Sequence, residues 1–349
     1  MLYSVADGDY EKWSKPQLQR FSIGFMVMLI MGCIGIDFWR ACSPFVYIFG
    51  ILLLLSVLFY GDYGGGAKRW LEFGSFRFQP SEIMKVGLVM FLAIYYDWLK
   101  PANTSKILWV FVPIIIIAFP TALIIPQPDL GTGTIIALTG VTMMFAAGVH
   151  YFYFLIVIFL IPAFLALVFY SRNTSWQLVT DYQFNRIDTY LNPGKDPLGF
   201  GYQITQSKIA LGSGGILGKG YQEGTQSHLN FLPEMHTDFI FTMFGEEFGF
   251  LGALLLIILY TWLIFLSIKM GLESRSDFGK YLSLGVSTVF FIYIFVNISM
   301  VTGLLPVVGV PLPLVSYGGS SMLAVMVGFG LLMNCYIHQK TILPKGDIF

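Results

Sequence analysis

The chain has 349 residues, 56% hydrophobic and only 11% charged, with 20 basic residues balanced by 20 acidic ones. A soluble domain carries about 25% charged residues, which excludes an ordinary soluble fold, and zero net charge leaves no basic face for nucleic acid. Mean hydropathy is +0.72, and apolar runs of about 20 residues, each able to cross a core of about 30 Å, recur along the chain; a β-barrel would show shorter alternating segments.

The expected architecture is all-α and polytopic, one integral membrane domain over residues 1–349. The first sixteen residues are mostly polar, with Asp7, Asp9 and Glu11, and show no cleavable signal peptide. Membrane helices are expected at roughly 17–36, 43–60, 81–99, 107–125, 132–149, 151–170, 239–268, 280–302 and 320–338. Between the second and third lies a cation-rich connection, Lys68-Arg69-Trp70, then Arg77-Phe78-Gln79-Pro80-Ser81-Glu82 and Lys85. Ser81 after Pro80 is expected to cap the third helix, and Glu82 and Lys85 share its face one turn apart. Such a pair can be purely structural, each charge satisfying the other. Cations converging beside one outer loop also suit an anionic head group, and Trp70 can anchor at the interface.

Pro126-Gln127-Pro128 ends the fourth helix, and Asp129 is placed to cap the fifth through its first-turn N–H groups. A long non-membrane stretch follows at 171–237, a length more often functional than idle. Ile204, Ile209 and Leu211 fall at helical spacing and predict an amphipathic segment along the membrane surface. The Gly-rich run around Gly218-Lys219-Gly220 fails as a nucleotide loop, because Ser213 stands at the first glycine position and Gly220 replaces the Ser or Thr that holds magnesium. Its freed backbone N–H groups still suit a diphosphate.

The loop ends at Pro233-Glu234-Met235-His236-Thr237-Asp238, where an apolar helix begins. Asp238, Thr242 and Glu246 recur every four residues and share a helix face. Asp238 can cap that helix or serve as a general base towards a substrate hydroxyl, whereas Glu246 and Glu247 are expected to pair within the bundle. Residues 303–321 are apolar but too broken by Pro and Gly for a helix; irregular backbone at membrane depth survives only when buried or lining a cavity, so they are expected to form a re-entrant wall around a lipid-facing site. Cys33, Cys42 and Cys335 give no disulfide framework, and the four histidines are too scattered for a zinc site.

With the C-terminus inside, the short inner segments hold Arg40, Lys100, Lys106, Lys269, Arg275, Lys280, Lys340 and Lys345, against Lys12, Lys15, Arg20, Lys68, Arg69 and Arg77 outside. That bias places the 171–237 loop and the N-terminus outside.

Taken together, Lys68-Arg69-Trp70, Arg77 to Glu82, Gln127 to Gly131, Pro233 to Phe239, Pro306 to Pro313 and Ser316 to Gly319 resemble the SEDS family (shape, elongation, division and sporulation). Gly218-Lys219-Gly220 with Gly224-Thr225-Gln226-Ser227 favours its RodA branch over FtsW. The resemblance covers nearly the whole chain. It implies a SEDS-type bundle of ten helices, of which nine are expected here, the chain opening near the outer end of the first.

It further implies a peptidoglycan glycosyltransferase that polymerises lipid II during cell elongation, at the outer face of the bacterial inner membrane. A class B penicillin-binding transpeptidase would be its partner in the elongation (rod) complex, and a divalent cation, Mg or Mn at an unknown site, would support activity. Asp238 matches the family's essential loop aspartate, and Glu82 and Lys85 match the pair on its fourth helix. Substrate contacts are expected from Lys68, Arg69, Trp70, Arg77, Gln79, Ser81, Glu82, Lys85, Asp129, Lys208, Lys219, Gln226, Glu234, His236 and Ser316, with Lys85, Arg77 and Lys219 facing the leaving charge. A lipid-linked precursor flippase, a secondary transporter or a non-catalytic scaffold are the competing readings. The first two need polar residues at both membrane faces or at the midplane, and a scaffold would tolerate loss of Asp238.

Overall fold

The computed structural model describes residues 1–64, 67–73, 76–127, 129–179, 181–192, 194, 199–228 and 232–344. Among them the α-helices run, in chain order, α1 (Leu2–Val5), α2 (Lys15–Cys33), α3 (Ile36–Tyr60), α4 (Pro80–Trp98), α5 (Ile107–Ile124), α6 (Leu130–Ala146), α7 (Tyr151–Tyr170), α8 (Asp181–Leu191), α9 (Phe200–Ser213), α10 (Thr225–His228), α11 (Ile240–Glu273), α12 (Asp277–Thr302) and α13 (Gly319–Ile337). A π-helical turn, Tyr10–Ser14, precedes α2. Six of these helices are long and apolar enough to cross a membrane, and α6 is a shorter apolar helix of 17 residues. With α2 and α4, they occupy the nine expected spans, with ends shifted by a few residues.

The helix ends follow from local chemistry. Pro80 opens α4 at a position where its missing N–H costs nothing. Asp129 caps α6 by accepting from the Thr132 N–H at 3.2 Å, and Ser276 caps α12 through the Gly279 N–H at 3.0 Å. Gly303 closes α12 in the left-handed region, φ 77°, with its N–H turned back on Met300 and Ser299. Ser81 does not cap α4. Gln79 holds the cap position, and the Ser81 hydroxyl is buried with no partner among the described residues.

Between α3 and α4 the chain forms a small antiparallel sheet that the hydropathy pattern does not reveal: β1 (Asp62–Gly64), β2 (Ala67–Phe73) and β3 (Phe76–Phe78), in that order. Register pairs Trp70 with Asp62 and Glu72 with Arg77. This sheet carries Arg69, Trp70 and Arg77 over the end of the bundle.

Helix α12 is the axis of the packing, contacting α4, α6, α9, α11 and α13, while α2 lies against α13 and α3 against α4. Below Lys85, α4 buries Leu88, Val89, Met90, Leu92 and Ala93 against Leu282 and Val286 of α12. At the end away from the sheet, Asp97 ion-pairs with Arg40 at 2.8 Å and accepts from the Phe278 N–H at 3.1 Å, tying α3 and α4 to the start of α12.

Helix α11 is interrupted at Gly249, φ 64° and ψ −166°. The backbone groups freed there are met by the Gly-rich loop: Phe250 and Leu251 N–H donate to the Gly215 and Ile216 carbonyls, and Lys219 and Gly220 N–H donate to the Glu246 and Glu247 carbonyls. A broken helix at membrane depth survives only with such partners. The fit leaves no room for side chains, since a Cβ on Gly218, at φ +84°, would stand 2.1 Å from the Glu247 carbonyl oxygen. Gly218→Ala is therefore expected to destabilise the protein by about 3 kcal/mol or more, combining backbone strain with overpacking. A thermal melt in detergent reads this, and an unchanged melt would contradict the interlock.

Helix α9 departs from the expected surface-lying segment. Ile204 is buried and Ile209 is exposed, but the helix is bolted to the bundle by the buried Ser207 hydroxyl, 2.8 Å from the Val301 carbonyl and 2.7 Å from the Thr242 hydroxyl. The reason is a polar contact across 94 positions of sequence, which periodicity cannot register.

Candidate active site

A cavity of about 500 Å³ opens at the end of the bundle covered by the sheet and by α8 and α9. Its walls come from β2 and β3 (Arg69, Trp70, Arg77), the start of α4 (Gln79, Glu82), the loop helices (Arg186, Gln203), the turn before α11 (Glu234, Thr237, Asp238) and the irregular 303–318 segment (Gly309, Pro311, Tyr317). As expected of irregular backbone at membrane depth, the latter lines a cavity, although Leu304 within it is exposed.

Asp238 belongs to the turn preceding α11, and its side chain makes no cap bond to that helix. The residue is half-buried in the cavity wall, yet its carboxylate lies deep among protein atoms. Loss of hydration, reinforced by the charge of Glu234, outweighs the pull of Arg69 and Arg186 and pushes its pKa up to about 7, with Asp129 adding in the same direction. Gly309 approaches it closely, at φ +74°, where a Cβ would stand 3.4 Å from Oδ2. Burial lowers the pKa of His236, and Lys12 adds to that, against the opposing charge of Glu234. The imidazole stacks on Trp13 at 4.1 Å.

Glu82, in the cavity floor, meets the buried Lys85. Lys85 Nζ lies 2.7 Å from Glu82 Oε1, the side chains being 3% and 7% exposed. The Tyr293 hydroxyl donates to the same Oε1 at 2.9 Å, and the ammonium stands over the Tyr293 ring at 4.2 Å. Glu82 and Tyr293 also border a narrower apolar cleft of about 40 Å³ between α4, α12 and α13. The polar cavity thus adjoins an apolar one across a buried, fully paired charge.

Of the residues expected to touch substrate, Arg69, Trp70, Arg77, Gln79, Glu82 and Glu234 line the cavity with Asp238. Lys85 and Ser81 are buried and do not line it. Asp129 stands behind the wall, where it accepts from Gln79 Nε2 at 2.8 Å and the Thr132 hydroxyl at 2.9 Å, with Arg69 at 3.6 Å. The side chain of Lys68 falls outside the described residues. Lys208 crosses Gly303 at the C-terminal end of α12.

Lys219 is held away from the cavity by the fully buried Glu246, 2.6 Å away, whose same oxygen accepts from the Thr225 hydroxyl and N–H. Gln226 donates its N–H to Glu246 as well. The physical reason is that a fully buried carboxylate needs a cation, and Lys219 is the one the Gly-rich loop supplies. Ser316 is buried, its hydroxyl donating to the Thr237 carbonyl at 2.5 Å. Sequence reasoning missed Arg186 and Tyr293. Only the high polarity of the α8 sequence hinted at the first, and nothing local marks Tyr293.

Among the described residues no three His, Cys, Asp or Glu side chains come together, and the Asp238–Glu234 pair faces two arginines. These residues do not fit a protein-held divalent cation.

Long apolar helices around a polar, carboxylate-bearing cavity define an integral membrane protein with a site at one end. The chain belongs to the FtsW/RodA/SpoVE family: that family's model, described as cell cycle protein, matches residues 2–341. It is 42% identical to the peptidoglycan glycosyltransferase MrdB of Escherichia coli K12 over 328 residues, covering 93% of this chain and 85% of the relative. It is 37% identical to stage V sporulation protein E of Bacillus subtilis, covering 94% and 88%. The fold matches a chain from a structure described as structural coordination of polymerization and crosslinking by a peptidoglycan synthase complex, with TM-score 0.77, 25% identity and coverage of 93% and 91%. It also matches Thermus thermophilus RodA, with TM-score 0.71, 23% identity and coverage of 97% and 92%.

Proposed function

We propose that the chain is a peptidoglycan glycosyltransferase that polymerises lipid II during cell elongation, with Asp238 as general base, acting at the outer face of the bacterial inner membrane. The observation that carries the reading is the cavity itself. A carboxylate with pKa raised to about 7 shares it with Arg69, Arg77 and Arg186, and the floor adjoins an apolar cleft. A diphosphate-linked lipid needs cations beside an apolar surface, and a sugar acceptor needs a base.

In the proposed step Asp238 takes the proton of the acceptor sugar's 4-hydroxyl as that oxygen attacks C1 of the donor. The C1–O bond to the undecaprenyl diphosphate breaks, its electron pair leaves with the diphosphate, and configuration at C1 inverts. Arg69, Arg77 and Arg186 line the space that the developing negative charge would share. Lys85 sits beneath it and acts by fixing Glu82. A magnesium or manganese ion would travel with the substrate's diphosphate. A class B penicillin-binding transpeptidase is the proposed partner, supported by the fold match to a peptidoglycan synthase complex.

A flippase needs a polar path through the bundle, and the buried side chains of α4 below Lys85 are apolar down to Asp97 except for the Tyr96 hydroxyl. The test is the pH profile of polymerisation. A base must be deprotonated, so kcat/KM should rise as pH passes through about 7 and fall below it. A flat profile from pH 5 to 8 would remove Asp238 from that role.

A further inference from the structure

The turn that carries Asp238 is held at three successive peptide carbonyls. The His236 carbonyl accepts from the Tyr317 N–H at 2.9 Å, the Thr237 carbonyl from the Ser316 hydroxyl at 2.5 Å, and the Asp238 carbonyl from Asn297 Nδ2 at 2.9 Å. The same Nδ2 donates to the Val310 carbonyl at 2.7 Å. Both partners of that nitrogen are carbonyl oxygens, so the orientation of the amide is fixed by chemistry. Asn297 is fully buried near the end of α12 and is not part of the cavity wall. Its two bonds join the backbone of Asp238 to the irregular segment that carries Gly309, whose backbone lies against the Asp238 carboxylate. Gln17 of α2 braces the other side, donating to the Ser316 carbonyl at 3.0 Å and accepting from the Gly318 N–H at 3.3 Å.

We infer that Asn297, seconded by Ser316, is a positioning residue for glycosyl transfer: it fixes the Asp238 turn against the 303–318 segment and so sets where the base meets the acceptor hydroxyl. The inference rests on the reading of Asp238 as base. Both hydrogens of the Asn297 amide are used within the protein, while its Oδ1 is buried with no partner among the described residues. The depth of Asp238 among Glu234 of its own turn, Arg69 of β2, Arg186 of α8 and Asp129 ahead of α6 depends on this backbone placement. Freeing the turn should hydrate the carboxylate.

The experiment compares Asn297→Ala and Ser316→Ala with a matched control, Asn334→Ala. Asn334 is equally buried and also donates to main-chain carbonyls, those of Met31, Gly32 and Ile34, where α2 ends, with no contact to the Asp238 turn. Each variant is assayed on labelled lipid II, with the transpeptidase partner present, for kcat, KM and pH profile. Misplacement of a reacting group by about 1 Å costs about a hundredfold. Asn297→Ala is therefore expected to lose about tenfold to a hundredfold in kcat, with KM within about twofold and the acid limb moved to lower pH. Ser316→Ala should show the same split in smaller degree, and Asn334→Ala should keep the wild-type profile. Equal losses at Asn297 and Asn334 with an unmoved acid limb would overturn the inference, as would wild-type kcat in Asn297→Ala. If Asn297→Ala cannot be recovered folded, Ser316→Ala decides, and wild-type kcat and profile there overturn it. An active Asp238→Asn protein would instead sink the base assignment itself, so the two failures are distinguishable.

Discussion

Asp238→Asn is expected to abolish measurable polymerisation, by about 10²–10⁴ in rate, while leaving a folded protein. The amide keeps the shape and loses the lone proton acceptor. The sign of the stability effect separates this from simple unfolding. Asp238 has a folded pKa raised from 3.8 to about 7, so between those values the folded protein binds more protons than the unfolded chain, and stability falls as pH rises through that window. At pH 8 the ionised carboxylate carries the full cost of its burial. The asparagine variant has no charge to bury, so it should melt no lower than wild type at pH 8 and lose that advantage near pH 4. Near-normal turnover, or a melt well below wild type at pH 8, would contradict the account.

Lys85→Ala is expected to lose both stability and activity, and the paired change Glu82→Leu with Lys85→Leu to recover only the first. Removing the ammonium strands a buried carboxylate with the Tyr293 hydroxyl as its remaining bond among the described residues, a loss of about 3–5 kcal/mol. Replacing both charges by apolar groups of similar size is commonly neutral or stabilising. The double variant should therefore melt near wild type yet fail to polymerise, because Glu82 lines the cavity floor. If it polymerises normally, the pair is only a self-satisfying element of the bundle.

The membrane spans were legible because hydropathy over about 20 residues reports directly on the solvent a helix faces. Asp129 was legible as a cap, since its partner Thr132 is three residues away. What escaped the sequence has partners far along the chain. Lys219 reads as a free cation beside glycines until Glu246 is folded against it, 27 positions on. Arg186 enters the cavity only because α8 folds back over the bundle, its guanidinium donating to the Val307 carbonyl at 3.0 Å. Asn297 looks like one polar residue in an apolar helix, and its role follows from two carbonyls supplied by other segments. Short strands such as β1 and β3, three residues each, offer too few residues for an alternating pattern to register.

The most direct measurement gives labelled lipid II to the purified chain with its transpeptidase partner and separates the products by length. The account predicts glycan strands many disaccharides long, formed with release of undecaprenyl diphosphate and absent when Asp238 is replaced by asparagine. Intact lipid II after incubation with a folded wild-type complex would contradict it.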